Sequence, residues 1–537
     1  MSSGVLMVVS MALRIPRRLF HAMRYGMQKG RGSVLKKVFV APDPGRLRLR
    51  SALRAVLGIG LAVALCGLAG HSLAAAITGG LTALLALFTV MDTTVRGQAV
   101  TTALFPAVGF PVLALAAVLH DHPQARDAAF LAVVGAGVYA RRWGPRGHSL
   151  GVLGFMAFFA SQFLHTVPGR LPELYAAMLL SLLASSTVRF GLWCYERRLP
   201  PAAVVPPLTG GTGFARPTTR QAVQAVAGSA FALAAGQVLS QDRWYWAVGA
   251  TWWVFVNTAS SGETLVRSFR RVLGTVLGLV LGLGVAVPLH GAPVATAALV
   301  AVCVFGIFYT AAVSYTWMML AVTVLAGLLY GLLGVLNPAL LVLRVVETGV
   351  GALGAVLAVL LVLPVTTHAT TDAWIQRALR CVHACTAEAA ARLAGSGTAD
   401  PAARVAELEL LLGRVRASLA PLVHPLNPVR ARKGRARQVV ALLDDCAREV
   451  RGLAAVAADP EASHDDRLTA ACRRVAAAVE ALTAPRTAAR AERPAVAAAP
   501  QVHAAEPALA HLHGLERALA ELAVPLRAPG RPPLIGA

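Results

Sequence analysis

Charge is scarce in this chain, and acidic charge is scarcer still. Of 537 residues only 14% are charged, with 26 Asp and Glu against 50 Lys and Arg. Mean hydropathy is strongly positive, a balance that excludes an ordinary soluble globular protein and places the chain among polytopic membrane proteins. Cysteines number seven. Cys66, Cys194 and Cys303 lie in or beside apolar runs and Cys381, Cys385, Cys446 and Cys472 in the C-terminal part, which implies no disulfide framework. Also missing are a phosphate-binding Walker loop, a G-x-S-x-G elbow and an H-E-x-x-H pair, so nothing points to an ATP-driven pump, a hydrolase, a catalytic residue or a cofactor.

What the chain has in abundance is apolar runs of about 18 residues or more, the length that crosses a bilayer core. Twelve candidate spans, some of them shorter, are expected: Ala52–Gly70, Ser72–Met91, Ala99–Leu119, Asp127–Ala140, Leu150–His165, Glu173–Cys194, Gln221–Ser240, Trp244–Thr258, Val272–Leu289, Val294–Thr310, Tyr315–Leu333 and Ala339–Pro364. The fourth is the shortest in apolar content and could be tilted or re-entrant. The fold class is therefore all-α, with about 12 transmembrane helices in two six-helix blocks at 51–194 and 220–365. A Pro- and Gly-rich linker at 195–219 separates them.

Residues 1–50 carry eleven Lys or Arg and one acid, Asp43. They read as a basic arm on anionic headgroups, and their charges follow the short apolar run instead of preceding it, so no cleaved signal is expected. From Thr366 the composition turns to Ala, Arg, Glu and Leu at helical spacing, which predicts a cytoplasmic helical bundle over 366–524 and a disordered tail at 525–537. Its helices are expected at Thr371–Leu393, Ala402–Leu419, Arg435–Ala457, Asp465–Leu482 and Ala505–Leu522, broken at Gly395, Pro421, Pro425 and Pro460.

The excess of positive charge would suggest nucleic acid in a soluble protein. Here it has another origin. With the N-terminal arm inside, cytoplasmic loops and their flanks hold twelve arginines, from Arg96 to Arg271, and external loops only Arg126, Arg170 and Arg243. That asymmetry puts both termini in the cytoplasm, and the partner is the lipid bilayer.

An internal repeat links the blocks. Asp92-Thr93-Thr94-Val95-Arg96 and Glu263-Thr264-Leu265-Val266-Arg267 each close a second span, 171 positions apart. Two parallel halves related by an axis normal to the membrane is one recurring transporter plan. Asp92 and Glu263 stand four residues before Arg96 and Arg267, a helical pairing distance that would hold both guanidinium groups in place.

The stretch Trp244–Gly284 carries the densest signals. A Trp-rich segment leads into a polar elbow with Glu263, Arg267, Arg270 and Arg271, and the next span presents Gly274, Gly278 and Gly282 on one face, where another backbone can approach. Fixed arginines at a cytoplasmic mouth would concentrate carboxylates, although arginines there also serve simply to fix topology. Further along, Arg344 and Glu347 enter the last span, where ionisable residues usually face a protein interior or water-filled cavity. They form either a self-neutralising pair or an anion-attracting arginine beside a proton-carrying acid. Arg271-x-x-x-Thr275-x-x-Gly278 recurs as Arg344-x-x-x-Thr348-x-x-Gly351. Trp252 and Trp253 read as packing or interfacial aromatics, or as a stacking surface for a planar substrate. Cys381-Val-His383-Ala-Cys385 does not read as a metal site, because on a helix His383 points away from both thiols. His511 and His513 meet the same objection.

Glu263 to Gly278 (E-T-L-V-R-S-F-R-R-V-L-G-T-V-L-G) and Arg344 to Gly351 (R-V-V-E-T-G-V-G) resemble the fusaric-acid-resistance-like, or aromatic acid exporter, family. Arg271, Gly274, Thr275 and Gly278 match its hairpin motif. The first block departs from it, with Val100 where the repeat would place Arg271, and no large soluble domain separates the blocks. The resemblance implies a bacterial inner-membrane protein exporting small organic, often aromatic, carboxylates or related amphiphilic anions. The expected pathway residues are Arg267, Arg270, Arg271, Thr275, Arg344, Glu347, Thr348, Trp252 and Trp253, with Gly274, Gly278, Gly282 and Gly351 in helix packing and Asp92 and Arg96 as first-block counterparts. Membrane potential or proton exchange at Glu347 would drive export. The competing reading is a non-transporting scaffold whose helical domain binds a protein partner. A homo-oligomer is compatible with both.

Overall fold

The computed structural model describes residues 46–92, 94–196, 213–256, 258, 260–289, 292–335, 337–363, 367–423, 430–458, 466–483 and 506–527. The basic arm up to residue 45, most of the linker and the end of the tail lie outside these residues. Among those described, the regular structure is helical throughout, as apolar segments in lipid require, since a helix satisfies its own backbone.

Seven α-helices make up the first block: α1 (Leu47–Leu68), α2 (Leu73–Thr89), α3 (Val95–Ala103), α4 (Phe105–Val118), α5 (Pro123–Tyr139), α6 (Gly144–Phe163) and α7 (Leu171–Glu196). The second block contributes α8 (Pro217–Leu239), α9 (Tyr245–Phe255), α10 (Ser261–Leu289), α11 (Pro293–Ala311), α12 (Tyr315–Leu332) and α13 (Pro338–Leu361). The short α3 and α4 form a single apolar stretch, Val95–Val118, with Pro106 in the first turn of α4. Adding 171 to the first residues of α1, α2, α3, α5, α6 and α7 lands within five residues of the first residues of α8 to α13. The repeat thus extends through six helices. It also extends to packing, because α2 lies on α7 as α9 lies on α13.

Each of the twelve expected spans overlaps a helix among the described residues, but only eight helical segments there are both long and apolar enough to cross a membrane. These correspond to α1, α3 with α4, α7, α8, α10, α11, α12 and α13. The clearest shortfall is α9. Its 11 residues reach about 16 Å at ~1.5 Å per residue, roughly half the hydrocarbon core. Such a half-helix is tolerated where protein surrounds it, and nine of its eleven residues are buried.

The chain divides into two compact units. One holds residues 1–57 and 277–336. There α11 packs on α12, and Gly278 sits against α12, where an added Cβ would meet Leu320 O at 2.8 Å and Thr323 Cβ at 2.7 Å. Arg48 lies over the Tyr309 ring at 5.0 Å. The other unit holds residues 58–276 and 337–537. Its membrane part is organised around α6, where Phe155, Phe158 and Phe159 are buried with Phe130, Tyr245 and Trp252.

The same unit contains the helical domain, with α14 (Thr367–Leu393), α15 (Pro401–Val423), α16 (Arg430–Ala457), α17 (Asp466–Thr483) and α18 (Glu506–Arg527). One core joins them through residues such as Leu379, Leu411, Leu443, Val475 and Leu512. Pro421, expected to end a helix, lies inside α15, and α18 runs past Pro525. Cys381 and Cys385 are buried in this core while His383 is half-buried. His511 Nδ1 meets Glu449 Oε2 at 2.9 Å and His513 Nε2 meets Arg474 Nη2 at 3.3 Å, so the two imidazoles serve different partners.

Candidate functional site

Two polar clusters sit at opposite ends of α9. At its first turn Trp246 receives Arg344 of α13, whose guanidinium carbon lies 3.8 Å from the ring centroid. Arg344 is buried, so an aromatic face takes over part of the solvation that water would supply. Arg243 donates to the Tyr245 hydroxyl at 3.0 Å. Phe159 and Phe163 of α6 meet Trp246 edge-on, at 5.0 and 6.0 Å.

Glu347, three residues beyond Arg344, is 0% exposed, and neither carboxylate oxygen has a hydrogen-bond partner among the described residues. No hydrogen bond joins Arg344 to Glu347, although the Arg344 charge acts on the carboxyl across one helical turn. Nine residues separate Glu347 from the start of α13, about 14 Å along the helix. Buried carboxyls with no hydrogen bond are rare and costly, and at membrane depth they mark functional positions.

Small residues bring α13 and α9 together here. An added Cβ on Gly351 would strike Ala247 O and lie 2.6 Å from Ala250 Cβ, and Thr251 Oγ1 donates to Gly351 O at 2.8 Å. Gly354 faces Gly228 of α8 in the same manner, with Gly228 O at 2.6 Å from the added Cβ. Thr348 is occupied by its own helix, donating to Arg344 O at 2.7 Å. Gly351 and Gly354 are thus closed contacts, while an added Cβ on Gly349 would meet nothing within 4 Å.

At the other end, α9 gives way to a segment in which Thr258 and Ser260 offer turn and cap chemistry in place of a helix. Ser260 Oγ accepts the Glu263 N–H at 3.4 Å, the serine half of a capping box that starts α10. Side chains then collect the carbonyls that α9 leaves open. Arg141, between α5 and α6, donates from Nη1 to Phe255 O at 3.0 Å and to Gln221 Oε1 at 3.2 Å. Gln221 in turn donates to Thr258 O at 2.9 Å, and Arg267 Nε donates to Trp253 O at 3.3 Å. The first block repeats the device. Arg189 of α7 donates to Ala86 O and, at 3.1 Å, to Val90 O, at the end of α2.

The remaining expected residues are spread among these elements. Arg271, Gly274 and Thr275 are buried on α10, while Arg270 is exposed; Gly282 makes ordinary contact with Val324, 3.7 Å from its added Cβ. Trp252 is buried against Phe155, rings 3.9 Å apart and 7° from parallel. The ring face expected to take a planar substrate is filled by phenylalanine, and Trp253 meets Trp252 edge-on. The Asp92–Arg96 pairing does not form. Thr94 is the N-cap of α3, accepting the Gly97 N–H, so Asp92 lies outside the helix where four-residue spacing has no meaning. It pairs instead with Arg146 at 3.8 Å and accepts from Thr101 Oγ1 at 2.7 Å, and Arg96 is exposed.

In sequence Arg141 and Arg189 read only as topology-fixing arginines and Trp246 as an interfacial or packing aromatic, and Gln221 carries no signal; Arg189 stands out as a lone charge within an apolar run. Residues 229–358 match the family model described as fusaric acid resistance protein-like, a stretch that runs from α8 to α13 and includes both ends of α9. No curated protein and no solved structure matches the chain.

Proposed function

We propose, from a second membrane block of the fusaric acid resistance protein-like family, that this multi-pass membrane protein is a transporter that exports small organic carboxylates, aromatic ones among them. The observation that carries the reading is Arg344 buried against Trp246 with an unbonded Glu347 one turn away. A guanidinium on an aromatic face attracts a planar carboxylate without needing a local counter-ion. Glu347 has no donor to hold its carboxylate charge, which suits it to exchange a proton as the anion passes.

Closed glycine contacts at Gly351 and Gly354 make transport conditional on α9 and α13 shifting against each other. Because α9 is a half-helix held at its ends by side chains, it is the element best suited to move. An inside-negative potential contributes about 2.3 kcal/mol per charge per 100 mV to anion exit. No further energy source is required.

The packed glycine faces also fit the second reading, a scaffold that moves nothing. Flux of radiolabelled benzoate and a panel of other carboxylates from proteoliposomes separates the two. Potential-dependent efflux above protein-free vesicles is expected; none for any carboxylate, with a specific protein captured by the helical domain, would favour the scaffold.

A further inference from the structure

The guanidinium of Arg141 is held by one of its three nitrogens. Nη1 carries both hydrogen bonds, to Phe255 O and Gln221 Oε1. Nε and Nη2 make none among the described residues, and the side chain is only half-buried, so this edge meets solvent. Its first-block analogue differs. Arg189 is 7% exposed and spends Nη1 on Val90 O and Gln98 Oε1 and Nη2 on Ala86 O.

An open Nε–Nη2 edge is the fork that binds two oxygens of one carboxylate side by side. The charges around it are mixed but cationic in balance: Glu263 of α10 acts on Arg141 most strongly, opposed by Arg267 of α10 and Arg414 of α15, and His148 of α6 is a further titratable neighbour. Arg414 is exposed and has no hydrogen bond or ion pair among the described residues. A helical-domain arginine thus lies within electrostatic reach of the residue that holds the end of α9, without a protein carboxylate of its own among the described residues.

We propose that Arg141 is the receptor for the carboxylate of the transported anion at the helical-domain end of α9, and that Arg414 closes over the bound anion. The inference rests on the transport reading and adds to it the site of first capture and a task for the helical domain. A carboxylate bound there competes with Phe255 O for the guanidinium, which loosens the end of α9 and couples capture to movement of the half-helix. Lipid phosphate shares the two-oxygen chemistry. We commit to a soluble carboxylate, because Arg414 belongs to the helical domain and not to a membrane span.

The test is calorimetric titration of the full-length protein in phosphatidylcholine nanodiscs with sodium benzoate, with benzamide as the neutral control. Benzoate is expected to bind and benzamide to fail. Arg141→Lys keeps the charge but loses the fork, and should weaken benzoate about tenfold; Arg414→Gln, an exposed change that leaves the fold intact, should weaken it about threefold. Wild-type affinity in both variants, equal binding of benzamide, or loss of benzoate binding when phosphatidylglycerol is included would overturn the proposal. Flux with unaltered benzoate binding in Arg141→Lys would sink this inference and leave transport standing. Binding lost in that variant, with no flux from the wild type, would do the reverse.

Discussion

The two membrane blocks share a plan and differ in chemistry at the same place. In both, a short second helix lies on the sixth, α2 on α7 and α9 on α13, and in both an arginine from elsewhere holds the carbonyls at its end. The repeat places Glu173 of α7 where α13 has Arg344. Glu173 accepts the Ser72 N–H at 2.6 Å, 32% exposed and beside His71. Its partner position in the second block is a buried cation on an indole, with an unbonded acid one turn on. One block uses the position to fasten two helices at the surface, and the other uses it to hold charge inside. An inherited scaffold thus permits a site without dictating one.

Breaking the close approach in the second block should have the largest effect. Gly351→Val drives a side chain into the α9 backbone and should cost about 3 kcal/mol, the upper end of overpacking, read as a lower unfolding midpoint in detergent. Leu180→Val at the repeat-related position of α7 should cost under about 1 kcal/mol. Next is Arg189→Met, which leaves Ala86 O and Val90 O without their donor and should destabilise by about 2 kcal/mol, while benzoate flux per folded molecule stays at the wild-type level. A flux defect there would mean that the first block shares in transport.

Glu347→Gln sharpens the comparison from the other side. It removes the exchangeable proton but not the cation, so the dependence of flux on external pH should flatten while potential-driven efflux persists. Unchanged pH dependence would free Glu347 of any proton role. The smallest change is expected from Glu173→Gln, about 0.5 kcal/mol or less for a partly exposed group, with no effect on flux.

Hydropathy made the helices legible, and three of the five helical-domain segments end within one residue of their expected bounds because Ala- and Leu-rich spacing and Gly395 mark them directly, whereas α15 and α18 run four and five residues further. The 171-residue offset, seen first in two five-residue motifs, extends through six helices. The half-helix was not legible as such. Trp244–Thr258 reads as one apolar span because tryptophan is apolar in lipid and in a protein interior alike, and only packing distinguishes them. The Asp92–Arg96 pairing failed for a local reason, since Thr94 caps a helix that Asp92 never enters. Arg141 stayed hidden because an arginine that fixes topology and one that caps a helix end are identical in sequence. Arg344 and Glu347 were legible as buried charges, but the seat of Arg344 on an indole was not, because it depends on Trp246, a residue from another helix.

The most direct measurement is benzoate efflux from proteoliposomes under an inside-negative potential, comparing Arg344→Gln with wild type at equal reconstituted amounts. At least a tenfold fall in initial rate, with the unfolding midpoint retained, is expected if the guanidinium on Trp246 receives the anion within the second block. Wild-type efflux from a folded Arg344→Gln protein would contradict that placement.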